Sequence, residues 1–240
     1  MILLHSTGLS SRQYGKLVPV LVERGYRAVS VDLIGHGKSP PLAEGAAMTW
    51  RDDVAEVAAL LAEPAYVVGH SYGGLVALHA ALAAGAKGLV LYDPVAFGIL
   101  DERDADVMST LSAIDLEGGA TLATRDEWLR SFVDYWGGSG AWQALRESAR
   151  AEFHRVGWAV REGVRTLMQD TTKAGGYATL PPLALITGEH TPVAARRVID
   201  RLAAATGASV SVIAGAGHMG PLSHADHVNA RIVELLQAMP

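Results

Sequence analysis

Gly69-His70-Ser71-Tyr72-Gly73 reads G-x-S-x-G. It follows the apolar run Tyr66-Val67-Val68 and precedes a helix-like stretch from Leu75 to Ala84, so the local prediction is strand, sharp turn, helix. In such a turn the serine backbone is strained and its hydroxyl stands clear of the sheet. A Cβ at either flanking glycine would collide with the neighbouring strand or helix. Helix-opening amides lie beside the hydroxyl, and their positive end favours a developing oxyanion. Ser71 is therefore the candidate nucleophile. The competing reading is a structural turn, because short Gly/Ser patterns recur by chance.

Outward from this turn, short apolar runs alternate with segments of helical period. Met1 to Leu4, Ala28 to Val31, Leu89 to Tyr92, Leu183 to Ile186 and Val210 to Ile213 read as strands. Between them, Tyr14, Leu17, Val18 and Leu21 keep helical spacing, as do Trp50, Val54, Val57 and Leu61. Val193 to Ala205 reads as a further helix, and Val228, Ile232, Leu235 and Leu236 mark a closing one. This alternation predicts an α/β protein with a mostly parallel sheet flanked by helices. Residues 96 to 178 break the rhythm. They are rich in Ala, Glu and Arg, carry four of the five tryptophans, and place Trp128, Phe132, Tyr135 and Trp136 at helical spacing. The expected organisation is a core made of residues 1–95 and 179–240, with a helical cap over 96–178.

A serine alone is a poor nucleophile at neutral pH and needs a base with a group to orient it. Of the nine histidines, His218 is the best candidate. It lies in Gly215-Ala216-Gly217-His218-Met219-Gly220 after the last strand, where a glycine-rich loop lets an imidazole lean over the carboxyl edge of the sheet. His70 is expected to pack or hydrogen-bond beneath the turn, and His5 to support a loop. The acid has two candidates, each at a strand end between Ser71 and His218 in the chain: Asp93, after Leu89 to Tyr92, and Glu189, after Leu185 to Gly188. The oxyanion donors are expected to be the amide of Tyr72 and one from His5-Ser6-Thr7-Gly8, with Thr7 preferred and Ser6 next.

Composition narrows the partners. With 240 residues, half of them hydrophobic, the chain can bury one sizeable core. A net charge of −5 without a basic stripe argues against nucleic acid. The absence of cysteine excludes disulfide and thiol chemistry. No run approaches the ~18 apolar residues of a membrane span, and no signal peptide is visible at the N-terminus, so a cytoplasmic protein with no membrane partner is expected. No histidine pair has a third ligand at a spacing that would hold a metal.

These motifs together resemble the α/β-hydrolase superfamily, in particular its small capped esterase-like members. The turn Gly69 to Gly74 matches, as does Val31-Asp32-Leu33-Ile34-Gly35-His36-Gly37-Lys38-Ser39, which is similar to that family's D-x-x-G-H-G-x-S loop. Gly215-Ala216-Gly217-His218 resembles its histidine loop. The resemblance implies a Ser-His-acid triad, a two-amide oxyanion hole, no cofactor and a helical cap.

Three departures stand out. His5-Ser6 replaces the His-Gly common in the oxyanion loop. Thr191 stands where G-x-x-D would place the acid, which favours Asp93 over Glu189. Two strands usual before the oxyanion loop do not precede it here, either because the leading pair is absent or because the sequence begins late; without that pair Ala28 to Val31 becomes an edge strand, and a homodimer or aggregation through that edge is expected.

Trp128, Phe132, Trp136 and Trp158 are the candidate lining of a substrate pocket, alongside their alternative role as the cap's own core. The expected activity is hydrolysis of small to medium esters. The rivals are a carbon–carbon bond hydrolase with Arg125, Arg130 or Arg155 binding a carboxylate, a cofactor-free haloperoxidase or perhydrolase, and a ligand-binding receptor with slow or single turnover.

Overall fold

The computed structural model describes residues 1–112 and 122–240. Six strands form one sheet in which every neighbouring pair is parallel: β1 (Ile2–Leu4), β2 (Val29–Val31), β3 (Tyr66–His70), β4 (Gly88–Tyr92), β5 (Leu183–Gly188) and β6 (Ser209–Ile213). Their spatial order is β2-β1-β3-β4-β5-β6. The chain runs from β1 outward to β2, then returns across β1 to β3 and proceeds the other way. The sheet therefore reverses direction between β1 and β3, and the loops after those two strands diverge to leave a crevice at the carboxyl edge. The Ser71 turn and the His5-Ser6-Thr7 loop sit there. As expected, β2 lies at an edge of the sheet, and Val29 is exposed.

Strand alternation divides the core into two layers. On one face Leu3, Val68, Val90 and Ile186 pack against α1 (Leu17–Glu23) and α10 (Ala225–Ala238) through Leu17, Leu21, Val228, Ile232 and Leu236. On the other face Leu4, Val67, Leu89, Leu91 and Leu185 pack against α2 (Trp50–Leu60), α3 (Tyr72–Ala84) and α8 (Val193–Thr206). Helix α3 is apolar on every side because the sheet, α2 and the helices above it leave it almost no wet face. Leu75, Val76, Ala77, Leu78 and Ala80 are all fully buried.

Two strands run further than the apolar periodicity indicates. β3 continues through Gly69 and His70, and β5 through Thr187 and Gly188. The glycines read as turn residues are strand residues whose missing side chains admit a close neighbour. A Cβ on Gly69 would stand 2.7 Å from the Gly73 carbonyl oxygen of α3.

Between β4 and β5 lie α4 (Ala105–Ser112), α5 (Leu122–Gly137), α6 (Ala141–Ala144) and α7 (Glu147–Leu167). The run from Gly138 to Gly140 links α5 to α6, as its composition predicts. This helical insertion is tied to the sheet at several points. The Trp50 amide donates to Thr166 Oγ1 at 3.1 Å. The carboxylate of Asp104, fully buried, accepts from Arg197 and Arg201 of α8 at 2.7 and 3.0 Å. Asp170 faces His79 of α3 at 3.4 Å. A short α9 (Gly220–Ser223) follows the His218 loop.

Candidate active site

Ser71 has φ +56° and ψ −118°, a combination that L-residues rarely adopt and one that costs on the order of 1–3 kcal/mol unless surroundings enforce it. Here they do. The Ser71 amide donates to the Tyr92 carbonyl at 3.0 Å, and the Ser71 carbonyl accepts from the amides of Gly74 and Leu75 at 2.9 and 3.2 Å. On the inner side, a Cβ on Gly73 would collide with the Leu4 carbonyl oxygen, so only glycine lets α3 start this close to β1. The strand therefore ends, turns and becomes helix within one residue, and the hydroxyl projects from the bend.

The hydroxyl meets the imidazole predicted for it. Ser71 Oγ and His218 Nε2 are 2.9 Å apart, and His218 Nδ1 lies 3.3 Å from Asp93 Oδ2. All three side chains are buried, Asp93 completely. A carboxylate facing Nδ1 holds the proton there and leaves Nε2 as acceptor toward the hydroxyl. The arrangement can take a proton from Ser71 and pass it on.

Asp93, preferred between the two candidate acids, is the carboxylate at the imidazole; Glu189 is not. Glu189 is exposed and its Oε2 accepts from the Gly215 amide at 2.8 Å, closing the turn that begins the His218 loop. Glu189 is a turn cap because β5 runs two residues further than its apolar run and delivers it past the edge.

Sequence reading missed the second partner of Asp93. Thr191 Oγ1 donates to Asp93 Oδ2 at 2.7 Å while accepting from the Gly188 amide at 3.0 Å. The departure from G-x-x-D was the available signal.

The two amide candidates flank the hydroxyl from different loops. Tyr72 is the first residue of α3, where geometry leaves the N–H without an intrahelical acceptor. In the other loop the Ser6 amide is taken by Gln13 Oε1 at 3.0 Å and the Gly8 amide by His36 Nε2 at 3.1 Å, while the Thr7 amide between them is engaged by neither. Thr7 rather than Ser6 is thus the residue with an uncommitted donor.

The histidines around this loop are structural. His5 Nδ1 donates to the Ser6 carbonyl and Nε2 accepts from Leu33 N–H, so the ring is held neutral. Burial, with His36 beside it, pushes its pKa down to about 3. His36 donates from Nδ1 to the Ile34 carbonyl, and burial lowers its pKa to about 4. His70 Nε2 donates to the His218 carbonyl at 2.9 Å, fixing the loop that carries the imidazole. Its pKa lies well below the usual histidine value because of burial and the neighbouring His218. Asp32 locks its own loop by accepting from the amides of Ser11 and Lys38 at 2.6 and 2.9 Å. Asp53, which sequence reading passed over, accepts from Tyr72 Oη at 2.8 Å and from the Ile34 amide at 2.9 Å. It couples the start of α3 to the Asp32 loop, and burial raises its pKa to about 6.

Apolar space opens on both sides of Ser71. Phe132 and Trp136, two of the four predicted pocket residues, line it. Trp136 lies over the His218 ring at a centroid distance of 4.3 Å. The other two do not reach it. Trp128 is buried against Phe132 at 5.2 Å in the core of the insertion. Trp158 donates from Nε1 to the Ala46 carbonyl at 2.9 Å, sealing α7 to the loop after Asp32.

Nor do the insertion's arginines enter this space. Arg125 pairs with Glu44 at 3.3 Å, Arg155 with Glu152 at 2.6 Å, and Arg130 is exposed. Among the described residues, the cavity walls carry no lysine or arginine.

Comparison with known proteins bears on this geometry. The chain is 41% identical over 83 residues to the pimeloyl-[acyl-carrier protein] methyl ester esterase of Aeromonas hydrophila, a match covering 34% of this chain and 32% of that one. It thus matches about a third of that relative's length. Among solved structures, a hydrolase from Pseudomonas aeruginosa superposes with a TM-score of 0.74 at 21% identity, covering 99% of this chain and 89% of the other. A bromoperoxidase from Bacillus anthracis superposes with a TM-score of 0.69 at 22% identity, covering 98% and 91%. At those identities the likeness concerns the fold. No helix among the described residues is long and apolar enough to cross a membrane. A family model described as "Alpha/beta hydrolase family" matches residues 1–232. With its parallel sheet, its serine at the strand–helix bend and its histidine loop all inside that match, the chain belongs to the α/β hydrolase family.

Proposed function

We propose that this protein is a serine hydrolase that cleaves carboxylic esters through an acyl-enzyme on Ser71. The observation that carries this reading is the buried hydrogen-bonded chain Ser71–His218–Asp93, with 2.9 and 3.3 Å contacts on opposite nitrogens of one imidazole. Supporting it are Thr7 and Tyr72, which line the same apolar cavity as Ser71.

In the first half-reaction Ser71 Oγ attacks the ester carbonyl carbon and its proton passes to His218 Nε2. The carbonyl oxygen becomes an oxyanion held by the Tyr72 and Thr7 amides, each worth ~3 kcal/mol of barrier. The C–O bond to the alcohol breaks as His218 returns the proton to the leaving oxygen. Water then adds to the acyl-enzyme, giving its proton to His218. Collapse of the second adduct releases the acid and restores Ser71. Asp93 keeps the imidazole in the right tautomer and stabilises its charged form.

The Aeromonas relative is named a methyl ester esterase, which favours ester hydrolysis as the reaction class. The carbon–carbon hydrolase reading needs a cation for a carboxylated substrate, and the uncharged cavity walls disfavour it.

Ser71→Ala is expected to abolish turnover of p-nitrophenyl acetate, with the circular dichroism spectrum and melting temperature close to those of the parent. Undiminished turnover would refute the assignment.

A further inference from the structure

Two cavities meet at Ser71, and they differ in size and neighbours. One holds about 20 Å³ of open space, room for little more than one water-sized group. Its walls include Tyr72, Val95, Phe97, Val164 and Leu167, all buried, and it does not touch His218. The other holds about 360 Å³ and is lined by His218 and Met219. It reaches solvent at Leu222, which is 47% exposed. Phe132 and Trp136 belong to both and form the wall between them.

We propose that the enzyme acts on esters of short-chain acids with long apolar alcohols, the small cavity taking the acyl group and the large one the alcohol. This inference rests on the ester-hydrolase reading above. Its basis is the geometry of the tetrahedral adduct. The adduct carbon carries Ser71 Oγ, the oxyanion, the leaving oxygen and the acyl chain. The oxyanion is committed to the Thr7 and Tyr72 amides. The leaving oxygen must lie within hydrogen-bond reach of His218 Nε2 to receive its proton, so the alcohol attached to it extends along the His218 side. That side is the large cavity. The acyl chain takes the remaining direction, into the small cavity behind Tyr72. Once the alcohol has left, the same large cavity admits the water that attacks the acyl-enzyme.

Trp136 is the residue that sets this division. Its ring lies over His218 at 4.3 Å and stacks on Phe97 at 6.4 Å, so it walls the acyl side while flanking the alcohol side. Neither cavity has a charged wall among the described residues, so both substituents should be uncharged.

Octyl acetate and methyl nonanoate test this, because they are isomers that divide the same carbons oppositely. The expected result is a kcat/KM for octyl acetate on the order of 10²-fold above that for methyl nonanoate. Trp136→Ala should narrow that ratio by about tenfold or more by joining the two spaces. Should that variant fail to fold, Val164→Ala should narrow it in the same direction by enlarging the acyl side alone. Equal rates for the isomers, a preference for methyl nonanoate, or no cleavage of octyl acetate by protein active on p-nitrophenyl acetate overturns the assignment. Ser71-dependent hydrolysis of methyl acetate reports the underlying reading separately, since both of its substituents are small enough for either cavity.

Discussion

Asp93 holds its carboxylate against His218 from a left-handed backbone conformation, φ +43°. Aspartate tolerates that region better than most residues, and three contacts enforce it. The Asp93 amide donates to the Ile186 carbonyl at 3.0 Å, Pro94 follows, and Thr191 donates to Oδ2. Thr191 occupies the chain position where the family pattern has an acid, and its hydroxyl bonds the carboxylate that β4 carries instead. If Asp93 serves as the triad acid, Asp93→Asn should lower kcat on the order of 10³–10⁴-fold by leaving the wrong tautomer at Nε2. Glu189→Gln, an exposed turn change, should alter it by no more than about twofold. A larger loss in the glutamine variant would reverse the assignment. Thr191→Val removes the charge-assisted bond to Asp93, worth about 1.5–3 kcal/mol, and with it the acceptor of the Gly188 amide. It should cost on the order of tenfold or more in kcat with little change in KM, and Thr191→Ser should restore most of it.

At the scale of elements, the serine turn works because α3 begins in contact with β1. Gly73 makes that approach possible, and its Cβ-free face lies on the Leu4 and His5 carbonyls. Gly73→Ala must push α3 away, at a cost of about 1–3 kcal/mol or more. It should lower the melting temperature and, by moving the Tyr72 amide, reduce activity at temperatures where the variant is still folded. A melt unchanged from the parent would mean that the contact is looser than described.

The helical insertion was legible only in part. Aromatic spacing correctly placed Trp128, Phe132, Tyr135 and Trp136 on one helix, α5. It did not say which of them face Ser71, because i, i+4 periodicity defines a stripe and not how far a neighbouring helix covers it. Here the stripe is covered at Trp128 and uncovered at Phe132 and Trp136. Residues 113–121, within the predicted cap, lie outside the described residues.

Across the whole molecule, buried titratable groups predict how stability responds to acid. His5, His36 and His70 have pKa values depressed by burial, so the folded state binds fewer protons than the unfolded one. Their contribution is complete above about pH 6.5 and is lost as pH falls toward 4. Asp53 runs the other way. Its pKa is raised to about 6, so its contribution is present below the ordinary carboxylate range and is lost as pH rises through 6. Three imidazoles against one carboxylate leave a difference of about two protons near pH 5, or ~3 kcal/mol per pH unit. Urea unfolding at pH 7, 6 and 5 should show the midpoint dropping at each step, most steeply in the last. A midpoint that rises on acidification would show that these imidazoles are not buried neutral.

What could be read along the chain was whatever depends on neighbours in sequence. Strand–turn–helix at Ser71, the glycine-rich loop before His218 and the α/β alternation are all local patterns, enforced by steric limits and periodicity within a few residues. Which carboxylate meets His218, which amide stays free, and which aromatics face the cavity were decided by packing between segments far apart in the chain. Asp93 and Glu189 have similar surroundings in sequence, each at a strand end. Only the run of β5 past its apolar stretch, and the threonine it carries to Asp93, separates an acid at the imidazole from one that closes a turn.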